Sequence, residues 1–432
     1  MKHTIISALL FMAAIMGANA QKGEWSGVVD MGDRKLPLVF HLDDDGCHVQ
    51  FIAQNFDISA DKSYTEDGKL KVDMPSVNLC YVGVVSEEAG IIIGDLSQGD
   101  REPLPLILRP GKDGTKINHP QTPEEPFPYK TEEVTFQSGD FTLHGTLSLP
   151  EKCTTRTPVA LLVTRMGQID RDNTIFDHKP YAVIADVLAR NGIASLRYDA
   201  RCYGDTVDFY NRFDVYDQED DAAAGIEFLR KRFRKVGVIG HHIGGTIALM
   251  LAGKGKADFV VSLAGVSLEF RKNLIWQNRV AMEAQGFTEE EVDSLMLANF
   301  IAIDKIASGQ PLTNIPPVPQ KLQPWMDYTI KQVSKPYFKR LLDVGASYFL
   351  PSIKCPVLAL NGKMDQVVNY LDNLSILDEG LTNCKHKVIA YDGLNHYFQY
   401  SSTGIEGDVA LIEETINPEV LHDIVDWIKK SK

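Results

Sequence analysis

The chain contains no Cys-x-x-Cys pair. Its six cysteines, Cys47, Cys80, Cys153, Cys202, Cys355 and Cys384, are scattered over 432 residues. That spacing argues against a cysteine-based zinc or dithiol redox motif, and no cofactor motif stands elsewhere. Positive charge is also short. With 44 Lys and Arg against 58 Asp and Glu, the formal net charge is −14. An acidic surface repels phosphate backbones, which argues against nucleic-acid binding. No basic run suggests attachment to an anionic membrane. Beyond residue 20 no stretch is long and apolar enough to span a bilayer.

What is present begins with Met1-Lys2-His3, an apolar run from Ile5 to Met16, and Ala18-Asn19-Ala20. A positive start, a short apolar core and an A-x-A end read as a signal peptide over residues 1–20, cut near Ala20. The mature chain is then expected to be exported, to the periplasm or outside the cell. Export makes disulfides possible. Cys47 could pair with Cys80, and Cys355 with Cys384 if the strand-like runs they open are neighbours; six free thiols are equally compatible with the sequence.

Length allows two or three domains and a large core. Residues 21–117 carry short apolar runs, such as Lys35 to Leu42 and Gly90 to Gly94, between turn clusters such as Asp43-Asp44-Asp45-Gly46. This pattern predicts a small all-β meander, sandwich or barrel with an accessory role. Residues 118–129 hold four prolines and read as an extended linker. From 130 to 432 a hairpin is followed by strands alternating with helices, which predicts a mostly parallel sheet covered on both faces. The stretch at about 267–350 interrupts the alternation. It is largely helical in pattern, with a capping box at Thr288 and Glu291, and has the place of a lid.

The chain centres on Val236 to Met250, where an apolar strand meets Gly240-His241-His242-Ile243-Gly244-Gly245 and an apolar helix follows at once. This is the strand–turn–helix context of the nucleophile elbow, G-x-S-x-G, with glycines at both required positions and His242 in the place of the nucleophile. Further on, Asp365 follows the strand at 356–362, and His396 follows the strand at 388–391. Taken singly, these are a solvated carboxylate and a structural His. Their order after the elbow, each at the C-terminal end of a strand, is that of a triad acid and base.

Other chemistry can be weighed from the same residues. Imidazole can act as a nucleophile, but His242 is larger than Ser and its ring would push toward His396. Cys202, just past a strand on the same edge, is a second possible nucleophile, though nothing places a base beside it. His241, His242, His396 and Asp365 have the ligand types for zinc, yet adjacent side chains in an elbow point different ways. No metal is therefore expected.

Residues 130–432 resemble the secreted bacterial α/β-hydrolases grouped with serine aminopeptidases and carboxylic ester hydrolases. The resemblance rests on Asp170-Arg171-Asp172, His178-Lys179-Pro180, Arg197-Tyr198-Asp199, Gly240-His241 with Gly244-Gly245, Cys355 to Gly362, Gly393 to His396, and Ile412 to Thr415. The β-domain also looks like one found ahead of this kind of hydrolase. The resemblance implies an α/β-hydrolase fold with a helical lid, a triad acid at Asp365 and a triad base at His396. The departures cluster at one edge. The family has Ser where this chain has His242. Its Gly-Ser-Gly-like oxyanion loop is here Arg165-Met166-Gly167, and its Asp-Arg-Gly after Tyr198-Asp199 is Ala200-Arg201-Cys202. Arg165, Met166 and Ile243 therefore line the expected oxyanion pocket. The expectation is a lapsed or strongly impaired hydrolase that binds a small ester, amide or peptide. The competing expectation is a slow hydrolase in which His396, oriented by Asp365, activates water.

Overall fold

The computed structural model describes residues 21–431 except 33, 44–46, 53–55, 87–88 and 100. The signal-peptide reading of residues 1–20 lies outside the described residues. Two units divide between Ile117 and Asn118.

The first unit is a closed barrel of eight strands in meander order: β1 (Gly23–Asp30), β2 (Lys35–Leu42), β3 (Cys47–Phe51), β4 (Phe56–Tyr64), β5 (Leu70–Met74), β6 (Leu79–Ser86), β7 (Ile91–Gln98) and β8 (Leu104–Pro110). Each strand pairs antiparallel with the next, and closure comes from β1 against β8, where Trp25 faces Pro110 and Ser26 faces Arg109. Of the three β architectures the sequence allowed, the barrel is the one formed. Strand alternation builds its interior: Leu70, Val72 and Met74 of β5 are buried, and the residues between them are not. Phe40, Leu42, Val49, Ile92 and Leu106 join them. Tyr81 is fully buried there, and its hydroxyl donates to Leu106 O or Ile92 O, at 3.2 and 3.3 Å.

The second unit holds an eight-stranded sheet. Its strands are β9 (Lys130–Ser138), β10 (Phe141–Leu149), β11 (Val159–Val163), β12 (Ala194–Tyr198), β13 (Val236–His241), β14 (Val260–Leu263), β15 (Val357–Gly362) and β16 (His386–Tyr391). Their order across the sheet is β16-β15-β14-β13-β11-β12-β10-β9. The hairpin β9–β10 is antiparallel, β10 also runs antiparallel to β12, and the rest are parallel. Strands β11, β13 and β15 are buried at every position. That is why they read as unbroken apolar runs rather than alternating ones.

Helices cover both faces. One core packs Tyr181, Ile184 and Leu188 of α1 (Pro180–Arg190) with Val420, Ile424 and Ile428 of α10 (Pro418–Lys430) against the sheet. The opposite core collects α2 (Phe209–Arg212), α3 (Val215–Arg230), α4 (Ile243–Gly253) and α9 (Tyr370–Gly380). Residues 243–252 of α4 are all buried, which suits a helix apolar all round. Between β14 and β15 lie α5 (Phe270–Ala284), α6 (Glu289–Ala307), α7 (Gln323–Val333) and α8 (Pro336–Leu341). They share a small core of their own, including Met282, Leu295, Met296 and Met326. Tyr337 and Leu341 of α8 anchor them into the main core. The capping box read at the start of α6 is formed, with Glu291 N–H donating to Thr288 Oγ1 at 3.4 Å and Thr288 N–H to Glu291 Oε2 at 3.2 Å.

One expectation needs correction, and one left open is settled. The stretch 118–129 is grouped with the second unit rather than standing apart as a linker. The Gln121 side chain is the cause: Nε2 donates to Ile416 O at 2.7 Å, and Oε1 accepts from Thr415 and Ile416 N–H at 2.5 and 3.0 Å. The cysteines are all free thiols. Cys355 and Cys384 do precede neighbouring strands in matching register, since Val357 faces His386. Burial pushes the Cys355 thiol up to about 12 and that of Cys47 to about 11, which keeps both protonated. No described helix is long and apolar enough to cross a membrane.

Candidate active site

The turn between β13 and α4 is where the backbone is most constrained. His242 has φ 55° and ψ −120°, a region that side-chain-bearing residues rarely occupy. Its neighbours must be glycines. A Cβ on Gly240 would lie 2.0 Å from Gly244 O, and one on Gly244 would lie 2.2 Å from Val163 O. The turn is held by His242 N–H donating to Leu263 O at 2.9 Å and by Gly245 N–H donating to His242 O at 2.9 Å. A positive φ on a non-glycine residue costs of order 1–3 kcal/mol and persists only where the surroundings over-determine it. Those two hydrogen bonds and two glycine contacts do so here.

Asp365 and His396 leave β15 and β16 at the same sheet end and meet. His396 Nδ1 lies 2.8 Å from Asp365 Oδ2. Asp365 Oδ1 accepts from the backbone N–H groups of Val367 and Val368 at 2.7 and 2.8 Å. With Nδ1 committed to the carboxylate, Nε2 of His396 is the nitrogen free to take a proton. The His242 ring stands edge-on to the His396 ring, with centroids 5.3 Å apart. The structure thus brings His242, His396 and Asp365 into one row. His241 turns the other way. Its Nε2 lies 3.0 Å from His396 O, and its N–H donates to the Tyr181 hydroxyl at 3.0 Å. Among the described residues, no three His, Cys, Asp or Glu side chains converge as a metal-ligand set.

Both elbow imidazoles are pushed well below the usual histidine range. Burial is the main cause for each, and a charge on His396 would repel a second one; at His241 the hydrogen bond to His396 O opposes this. Arg165 lowers His242 further. His178 is likewise pushed down to about 4 by burial and by His119. An unfolded imidazole takes up its proton near pH 6.5, whereas these three stay neutral in the fold. The unfolded state therefore binds more protons below that pH, so their contribution to stability is present above pH 6.5 and is lost as pH falls. The unfolding midpoint of the second unit is expected to drop between pH 6.5 and 5, at up to about 1.4 kcal/mol per pH unit for each imidazole. A midpoint independent of pH over that window would contradict neutral burial.

Arg165, Met166 and Ile243 are placed by different routes. The Ile243 side chain is fully buried in the main core, and Met166 packs against that core. Only the backbone of Ile243 faces the turn. Arg165 follows β11; its Nη2 donates to Thr174 O at 3.2 Å. Cys202 has φ 58°, and burial, then Asp205, pushes its thiol up. Its sulfur has no hydrogen-bond partner among the described residues.

Some contributors carried no sequence signal. Tyr181 is fully buried, donates to Val163 O at 2.5 Å and accepts from His241 N–H. One hydroxyl thereby ties the loop after β11 to the elbow. The motifs behind the resemblance turn out to brace the site. Arg171 holds Asp199 through Nε and Nη2, and Asp170 caps Thr174. His178 reaches Thr415 Oγ1 and Val409 O, each at 3.0 Å. Asn395 Oδ1 accepts from Tyr397 and Gln399 N–H, which shapes the turn carrying His396.

No family model matches the chain. It is 25% identical over 342 residues to esterase EstD of Thermotoga maritima, covering 77% of each protein. Solved structures it resembles include Est1E from Butyrivibrio proteoclasticus, at 12% identity over 69% of this chain and 99% of that one, TM-score 0.41. Dienelactone hydrolase from Anabaena variabilis is another, at 16% identity over 70% and 99%, TM-score 0.40. The sheet order and the strand–turn–helix elbow of the second unit are those of the α/β-hydrolase fold.

Proposed function

We propose that the protein is an exported hydrolase relative, of the carboxylic ester hydrolase or serine aminopeptidase type, that has lost its nucleophile and binds a small ester, amide or peptide without turning it over. The observation that carries this is the His242 ring at the elbow. At φ 55° it sits where a nucleophile would, and it lies against His396 with no hydroxyl between them. Without an oxygen there, the covalent acyl route has no starting atom. The likeness to an esterase supports ester chemistry in its ancestry. The A-x-A end at Ala20 supports export.

A second reading, water activated by His396, is favoured by the 2.8 Å bond from His396 to Asp365, which leaves Nε2 available as a base. The two readings separate in one assay. Hydrolysis of p-nitrophenyl butyrate by the purified chain is expected at the buffer rate, unchanged by His396→Ala. Turnover that rises once, near a histidine pKa, and disappears in His396→Ala would establish the water route instead.

A further inference from the structure

The charge beside the elbow has no counter-charge. Arg171, Arg197, Arg201, Arg230, Arg232, Arg271 and Arg279 all pair with carboxylates. Arginines such as Arg109, Arg156 and Arg234, which form no ion pair among the described residues, are exposed. Arg165 is half-buried in a chain of net charge −14, and no described carboxylate lies within ion-pair distance of it. Its single hydrogen bond, to Thr174 O, uses one of a guanidinium's five N–H donors. Its Nε is buried with no partner among the described residues; the same holds for Arg197 and Arg271, but their guanidinium groups have carboxylate partners and that of Arg165 does not. A buried charged donor left unsatisfied is costly and calls for an explanation.

A second element brings free donors beside the chain that leads into Arg165. Helix α4 begins at Ile243 without a side-chain cap. The N–H groups of Ile243 and Gly244 have no backbone acceptor among the described residues. Val163 O and Thr164 O lie against Gly244, so the chain enters Arg165 directly beside this helix start. The His242 ring, at the residue just before the same helix, is itself only 6% exposed and makes no hydrogen bond with a described residue. A helix N-terminus, an unpaired guanidinium and an unpartnered imidazole together make an anion cradle.

We infer that this cradle binds the carboxylate of a small organic acid, with Arg165 gripping its two oxygens and the α4 amides completing the set. The inference rests on the lapsed-hydrolase reading and deepens it. A planar carboxylate matches the guanidinium fork. It is also the group that ester or amide hydrolysis would release, so a pocket that once held an acyl group in transit would retain the finished acid. Arg165, which crowds a neutral carbonyl, becomes the recognising group for its anion.

Benzoate and its neutral isostere benzamide provide the test, by calorimetric titration of the full chain at low ionic strength. Benzoate is expected to bind at least about tenfold more tightly than benzamide, as expected when a charged pair replaces a neutral one. In Arg165→Gln that preference is expected to vanish while the unfolding midpoint stays within a degree or two. Equal binding of the two probes by the unaltered chain would overturn the anion site, with no dependence on any variant. It would leave the lapsed-hydrolase reading standing. Turnover of p-nitrophenyl benzoate that His396→Ala abolishes would instead overturn that reading, whatever benzoate does.

Discussion

Replacing His242 by Ser is expected to give the chain ester hydrolysis that His396→Ala then removes. Every other member of the row is in place. His396 is held to Asp365 at 2.8 Å, Asp365 is fixed by two backbone N–H groups, and the elbow presents residue 242 at φ 55°. Serine is smaller than the imidazole it replaces, so the ring's space becomes room for a hydroxyl and a substrate carbonyl. Loss of the nucleophile in a serine protease costs about 10⁶ in turnover. The gain here is smaller because Arg165 and Met166 remain in the oxyanion loop. Forfeiting one oxyanion donor costs about 10²–10³, which leaves an expected gain of roughly 10³–10⁴-fold in p-nitrophenyl butyrate hydrolysis. The comparison needs three proteins: the chain as it stands, His242→Ser, and His242→Ser with His396→Ala. If the single variant stays inert, the loop at Arg165 has closed the site to acyl groups. If the unaltered chain already turns over and His242→Ser adds little, the chemistry belongs to another group.

Removing Arg201 is expected to have the largest effect on stability. It follows β12, and its guanidinium is 5% exposed. Nε and Nη2 grip Asp221 at 2.8 and 2.7 Å, and Nη1 reaches Asp217 at 2.7 Å. The rings of Phe141 and Phe213 lie 4.8 and 5.1 Å from it. Arg201→Met keeps the stem but leaves the Asp221 carboxylate buried without its partner, which costs about 3–5 kcal/mol. At about 2 °C per kcal/mol for a unit this large, the unfolding midpoint should fall by roughly 6–10 °C at pH 7. The sign with pH is fixed. Burial already pushes Asp221 above the usual carboxylate range, and Arg201 opposes it. Without Arg201 its folded-state pKa rises further, so the deficit shrinks as pH falls and Asp221 takes up a proton, and grows as pH rises. A deficit that is constant from pH 5 to 8 would mean the arginine acts through packing alone.

Much of the second unit is legible in the chain because its signals are local. Buried parallel strands show as unbroken apolar runs at 159–163 and 357–360, and the α6 capping box is readable from Thr288 and Glu291. The start of α3 is harder to read. Its box pairs Asp214 with Asp217 rather than a hydroxyl with a glutamate, so the usual signature does not mark Val215 as the first residue of the helix. The row of His242, Asp365 and His396 is legible from chain order and strand ends, which fix where a side chain emerges. What brings the loop after β11 onto the elbow is not. Tyr181 does this from α1, and the partners of Gln121 are about 295 residues away. Barrel closure is equally hidden, because β1 meets β8 only across the length of the first unit. Contacts of that span leave no periodicity to read.

The closed barrel also limits how the first unit can meet other molecules. With β1 bonded to both β2 and β8, the first unit has no free edge strand among its described residues, although the closing ladder spans only Trp25 and Ser26. Strand addition, one way for a sheet to capture an extended peptide, is thereby disfavoured. Recognition by this unit then falls mainly to side chains and loop tips. The sheet of the second unit differs, since β9 and β16 are true edges. The charges of Lys130, Glu132 and Glu133 on β9 discourage a foreign strand there. The two units thus handle strand edges differently, by closure in the barrel and by charge on β9 in the sheet.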